Sequence, residues 1–146
     1  MENIIIHTDG GSRGNPGPAG VGVFIEIGNR ETDILENRIE ISKYIGSATN
    51  NQAEYSAVIE ALKYLEENFS GENIEAKFYL DSELVVQQLN GKYKVKNEGL
   101  KPLFYEARDL VLKLGGSVSF SHVLREKNQE ADKLVNHAID EALETK

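Results

Sequence analysis

The chain alternates short runs of β-branched residues with longer stretches in which apolar positions recur every three or four residues. Ile4, Ile5 and Ile6 lie within Asn3 to Thr8, a segment suited to a buried strand. Val21 to Ile27 and Ile34 to Tyr44 read as two further strands, the second alternating at Ile39 and Ile41, with Gly28-Asn29 as the hairpin turn between them. The stretch from Gly10 to Gly20 is so rich in Gly and Pro that it is expected to form a shaped loop. Helical spacing begins at Asn51, where Ala53, Ala57, Val58, Ala61, Leu62 and Leu65 share one face of a helix reaching about Glu67. Ile74, Ala76, Phe78 and Leu80 then alternate as a strand, and Glu83 to Leu89 form a short helix closed by Asn90-Gly91. Lys101 to Leu114 is a third helix, with Pro102 in its first turn and an apolar stripe of Leu103, Ala107, Leu110, Val111 and Leu114. Val118, Phe120 and His122 alternate as a fifth strand. Asn128 to Leu143 make the last helix, burying Ala131, Leu134, Val135, Ala138, Ile139 and Ala142.

Three strands on short links, followed by alternating helix and strand, predict an α/β fold. Its five-stranded mixed sheet has three antiparallel strands, then parallel right-handed crossovers, with helices on both faces. A length of 146 residues, 40% of them apolar, fits one compact domain spanning residues 1–146. In such sheets ligands bind just outside the carboxyl ends of strands. Asp9 and Asp81 occupy predicted strand ends and become adjacent if the first and fourth strands are neighbours. Glu54 and Asp132 each open a helix, which makes four carboxylates that convergence would turn into a site for hard divalent cations such as Mg2+ or Mn2+. A pair of such ions about 3.5–4 Å apart clamps the attacking and leaving oxygens of a phosphodiester. Each acid also has a plainer reading. Glu54 follows Asn51 by three residues in a capping-box spacing, Asp9 and Asp81 suit turns or caps, and Asp132 complements a helix dipole.

The charge balance changes the picture. With 16 Lys plus Arg against 24 Asp plus Glu the net charge is −8, which argues against a broad basic face for nucleic acid and predicts weak, salt-sensitive binding supported by metal and specific contacts. The absence of cysteine removes disulfides, thiolate catalysis and Cys-ligated zinc. No basic and apolar leader or membrane-length apolar run is present, from which a soluble, cytoplasmic protein without membrane association is expected.

Four segments carry a family resemblance: Thr8-Asp9-Gly10-Gly11-Ser12-Arg13-Gly14-Asn15-Pro16-Gly17, Thr49-Asn50-Asn51-Gln52-Ala53-Glu54, Leu80-Asp81-Ser82 and Asn128-Gln129-Glu130-Ala131-Asp132. In order and spacing they resemble the signature segments of type 1 ribonuclease H, across nearly the whole chain. The resemblance implies a ribonuclease H-like fold and cleavage of the RNA strand of an RNA–DNA hybrid by two Mg2+ ions, with Mn2+ as alternative, leaving 3′-hydroxyl and 5′-phosphate ends. It implies Asp9 as the bridging ligand, with Glu54, Asp81 and Asp132 completing the metal shell. Gly10, Gly11, Asn15, Thr49, Asn50 and Asn51 match substrate-contacting positions, and Glu83 stands where many relatives carry Gln.

Two departures mark the compact form. The loop before the last helix lacks the mobile histidine of longer relatives, so Arg125 is the nearest residue to assist turnover, with His122 as the alternative. The long basic protrusion is missing between Gly91 and Leu100, although Lys92, Lys94, Lys96 and Lys101 remain, with Tyr93 among them. Some compact relatives also cut double-stranded RNA, which leaves that duplex as a side substrate. No obligate protein partner is evident, and a monomer is expected. A catalytically silent binding module would lack at least one of the four acids. The DEDD-type exonucleases would place a second acid two residues after Asp9, where this chain has Gly11.

Overall fold

The computed structural model describes residues 2–29 and 34–144. It forms one five-stranded sheet in the order β3-β2-β1-β4-β5, built from β1 (Glu2–Ser12), β2 (Gly17–Asn29), β3 (Ile34–Ala48), β4 (Ile74–Leu80) and β5 (Ser117–His122). The first three strands are antiparallel, while β1 with β4 and β4 with β5 are parallel, as expected for a mixed sheet. The helices are α1 (Asn50–Phe69), α2 (Glu83–Leu89), α3 (Lys101–Leu114) and α4 (Gln129–Glu144), with a short 3-10 turn at Arg125–Lys127.

The two faces of the sheet are covered differently. Ile4, Ile6, Val23, Ile25, Phe78 and Leu80 pack beneath Tyr55, Val58, Leu62 and Leu65 of α1, with Ala107 and Leu114 of α3 closing the same core. Each large side chain removed from water there contributes about 1.5–3 kcal/mol. The α4 helix crosses the other face over β1, β2 and β3. It buries Ala131, Val135, Ala138 and Ile139, whereas Leu134 and Ala142 of the expected face remain half-buried.

Helix limits follow from local chemistry. Thr49 caps α1: its hydroxyl accepts from Gln52 N–H (3.1 Å) while the Gln52 side chain accepts from Thr49 N–H (2.9 Å). That capping box displaces the one expected between Asn51 and Glu54 and frees the Glu54 carboxylate for another task. Pro102 sits in the first turn of α3, and Gly115, at φ 73°, closes it in the left-handed region.

The glycine-rich segment departs most from expectation. Rather than one loop from Gly10 to Gly20, β1 runs to Ser12, β2 begins at Gly17, and only residues 13–16 turn. The glycines serve close approach instead. A Cβ on Gly10 would lie 2.1 Å from the Ala53 carbonyl oxygen of α1, and one on Gly22 would lie 2.1 Å from the Ala131 carbonyl oxygen of α4. Gly28 and Asn29 likewise extend β2 by pairing with Leu35 and Ile34, so they do not form the turn, and residues 30–33 lie outside the described residues. Among the described residues no helix is long and apolar enough to cross a membrane.

Candidate active site

The parallel ladder between β1 and β4 ends at the pair Thr8 and Leu80, and the next residue on each strand is an acid, Asp9 and Asp81. Asp9 therefore stands at the end of the parallel pairing even though β1 itself continues along β2. Glu54 lies in the second turn of α1, drawn in by the Gly10 approach, and Asp132 lies in the first turn of α4. The structure thus brings all four sequence-derived acids to the wall of one open cleft of about 440 Å3.

Oxygens of Asp9, Glu54 and Asp81 lie within 4.8 Å of one another. Asp9 and Glu54 are 4% and 7% exposed, and both accept from the Gly10 amide, at 3.0 and 3.2 Å. Asp132 sits outside this tight triad and is half-buried, yet its carboxylate shares a hydrogen bond with Asp9 and its charge is felt by Asp9 and Asp81. Burial foremost, then the charges of Asp81 and Asp132, push Asp9 up to about 7 against the lowering effect of its hydrogen bond with Glu54. Burial foremost, then the Asp9 charge, hold Glu54 well above the usual carboxylate range. Asp81 is raised by burial, with the Arg125 charge pulling the other way. The second oxygen of Glu54, Oε2, is buried with no hydrogen-bond partner. These are oxygen donors that repel one another, and among the described residues no cation is paired with Asp9 or Glu54, which is the chemistry that a hard divalent cation satisfies.

The other predicted residues divide between the cleft and its surroundings. Gly10, Gly11, Asn50 and Asn51 line the cleft together with Arg125, whose Nε lies 4.0 Å from Asp81 and whose side chain is 84% exposed. Asn15 and Thr49 line an adjoining hollow of about 190 Å3 with Asn51, Gln52 and Asn97. The two hollows are tied together: Asn15 Oδ1 accepts from Asn50 N–H at 3.0 Å, and Asn50 Oδ1 accepts from Ser12 N–H at 2.9 Å. Glu83, exposed at the start of α2, lines neither hollow. His122 ends β5 exposed rather than packed, and it too is absent from the cleft wall. Tyr93 is 51% exposed, and Lys92, Lys94 and Lys96 stand exposed around it.

Sequence reasoning passed over Ser12, Arg13 and Asn136 in the cleft wall. Arg13 is held against α4 by Asp140 at 2.7 Å and by Asn136 Oδ1 at 3.3 Å. The spacing of Asn136 and Asp140 from Asp132, one and two helical turns on, was the available signal.

Comparison with known proteins places this geometry. A family model described as "Reverse transcriptase-like" matches residues 7–138. The chain is 37% identical over 142 residues to a bifunctional protein of Mycobacterium tuberculosis, covering 97% of this chain and 37% of that one, so it spans little more than a third of that relative's length. It is 34% identical over 160 residues to the ribonuclease H of Clostridium botulinum, covering 97% of this chain and 98% of the relative. Among solved structures, an RNase H1 isolated from compost by a metagenomic approach superposes with a TM-score of 0.82 at 46% identity, covering 98% of this chain and 99% of that one. The same protein in complex with an RNA/DNA hybrid gives a TM-score of 0.81 at 43% identity, covering 96% and 99%.

Proposed function

This chain belongs to the ribonuclease H family, in its compact type 1 form, and from that premise we propose that it is an endonuclease cutting the RNA strand of RNA–DNA hybrids with two bound divalent cations, Mg2+ or Mn2+. The observation that carries the reading is the convergence of Asp9, Glu54, Asp81 and Asp132, from four separate segments, onto one cleft where the β1 and β4 ladder ends. The donor set fits the ions: all four ligands are carboxylates, one Glu54 oxygen is orphaned, and the acids' raised proton affinities mark a site short of positive charge.

Asp9, central among the acids, would hold the ions together with Glu54, Asp81 and Asp132. When bound, the ions supply an activated water and stabilise the leaving 3′ oxygen, so that hydrolysis leaves 3′-hydroxyl and 5′-phosphate ends. The Gly10 amide fixes the orientation of Asp9 and Glu54, so little rearrangement is needed on loading. Arg125, permanently charged, offers a fixed positive charge beside Asp81 rather than a proton-transfer group.

Substrate choice is assigned to the groups around the cleft. Asn15, Asn50 and Asn51, with the backbone of Gly10 and Gly11, are proposed to sense the ribose 2′-hydroxyl and its flanking backbone, and Thr49 to hold a phosphate of the DNA strand; their lining of the cleft and the adjoining hollow supports the reading. Glu83 faces solvent beyond the cleft, and because a carboxylate can accept from a 2′-hydroxyl but not donate to one, its place there weakens the contact that many relatives make with Gln. The compost RNase H1 was captured with an RNA/DNA hybrid, which supports a hybrid as this chain's substrate. Double-stranded RNA is the proposed side substrate, and a monomer the proposed working form.

The test is cleavage of end-labelled RNA–DNA, RNA–RNA and DNA–DNA duplexes in Mg2+, Mn2+ or chelator. Cutting of the RNA strand of the hybrid, faster than of double-stranded RNA and abolished by chelator, is expected. Cutting that survives chelation, or an intact hybrid in both metals, overturns the proposal.

A further inference from the structure

Asn128 is an asparagine whose surroundings do not match its position. It stands directly before α4, where an asparagine side chain ordinarily accepts from the N–H groups of the helix's first turn. Here the residue is 1% exposed and its Oδ1 has no hydrogen-bond partner. Its Nδ2 instead donates across the fold to the Thr8 carbonyl at 2.8 Å, on the residue just before Asp9. The Asn128 carbonyl accepts from Asp132 N–H at 3.1 Å, and the Asn128 N–H donates to the Arg125 carbonyl at 2.9 Å. One residue therefore touches the strand end that carries Asp9, the helical turn that carries Asp132 and the 3-10 turn that carries Arg125. A parallel stitch lies beside it, where Val123 N–H donates to the Leu80 carbonyl at 2.8 Å, just before Asp81.

Asp132 is the acid that needs such a tether, because it lies outside the tight triad and rides on α4, which packs on β1, β2 and β3. The close seat of Ala131 over Gly22 sets how near the helix comes to the sheet. Farther along the helix, Ser42 Oγ donates to the Leu134 carbonyl at 2.6 Å and Arg13 holds Asn136 and Asp140, so the bond to the Thr8 carbonyl is the directed tie at the end of α4 that carries Asp132.

We propose that Asn128 is a positioning residue: its bond to the Thr8 carbonyl fixes the first turn of α4 against the end of β1, so that Asp132 is held beside Asp9 where both serve shared cations. The inference rests on reading the cleft as a metal-dependent active site. Asn128→Ser separates positioning from capping, because serine caps a helix as well as asparagine does but is too short to reach the Thr8 carbonyl. Calorimetric titration with Mn2+ in the absence of nucleic acid is expected to give an affinity roughly tenfold or more below wild type. Turnover falls with it, KM for the hybrid stays within about twofold, unfolding remains cooperative, and Asn128→Ala behaves likewise. Wild-type Mn2+ affinity and turnover in Asn128→Ser overturn the proposal. So does a serine variant that fails to fold by circular dichroism, since Asn128 is then a determinant of the fold itself. Wild-type protein that binds no Mn2+ overturns the reading of the cleft as well, which distinguishes the two failures.

Discussion

Asp9→Asn, a change of one charge at nearly constant shape, separates the stability of this protein from its activity. In the folded chain without cations, Asp9 holds its proton up to about 7, whereas the unfolded chain releases it near the ordinary 3.8. Between those values the folded state binds more protons than the unfolded state, so the contribution of Asp9 is most favourable at low pH and is lost as pH rises toward about 7. At about 1.36 kcal/mol per pH unit, the full loss above neutral pH is about 4 kcal/mol, shared among acids that titrate together. Asparagine escapes that loss. Thermal unfolding in chelator is therefore expected to show the two proteins melting together near pH 4 and the variant melting roughly 10 °C higher at pH 8, at roughly 2–4 °C per kcal/mol for a chain of this size. The same variant should lose turnover by roughly a hundredfold or more. Equal melting temperatures at pH 8 in chelator, or a variant less stable at every pH, would refute the claim that uncompensated negative charge loads this cleft.

Three further outcomes follow from the same geometry. Mg2+ should raise the wild-type melting temperature, by the equivalent of about 2.7 kcal/mol at a hundredfold excess over Kd, and should barely move Asp9→Asn in the same differential scanning experiment. Gly10→Ala drives a methyl group into the Ala53 carbonyl and should lower stability by about 3 kcal/mol or more, read as a lower urea midpoint at unchanged slope. Arg125→Ala should slow turnover more than His122→Ala, because the guanidinium lines the cleft and the imidazole does not; equal wild-type rates in both variants would remove each from the mechanism.

Periodicity carried most of the architecture because the buried faces are regular. The bounds of α2 and α3 and the alternation of Ile74, Ala76, Phe78 and Leu80 were readable from spacing alone, since each element packs one uninterrupted apolar face. The glycine-rich segment defeated the same reasoning. Gly10 and Gly20 resemble loop residues in one dimension, and their role in letting helix backbones settle on the strands appears only when α1 and α4 are in place. Glu54 and Asn51 have the spacing of a capping box, but Thr49 and Gln52 form the cap, and nothing in the spacing distinguishes these two registers. The four acids were legible as a set because Asp9 and Asp81 follow the last β1–β4 pair and Glu54 and Asp132 lie in the first two turns of helices. Arg13 was not, since its partners Asn136 and Asp140 lie more than 120 positions along the chain.

That distance has a temporal side. A ribosome delivers the acids in the order Asp9, Glu54, Asp81 and Asp132, and domains take shape as the chain emerges. When β5 has just appeared, three carboxylates exist, but the helix that bears the fourth and blankets one side of β1, β2 and β3 has not been made. On the proposed metal-dependent reading, the site therefore stays short of its fourth carboxylate until α4 has been made and has docked.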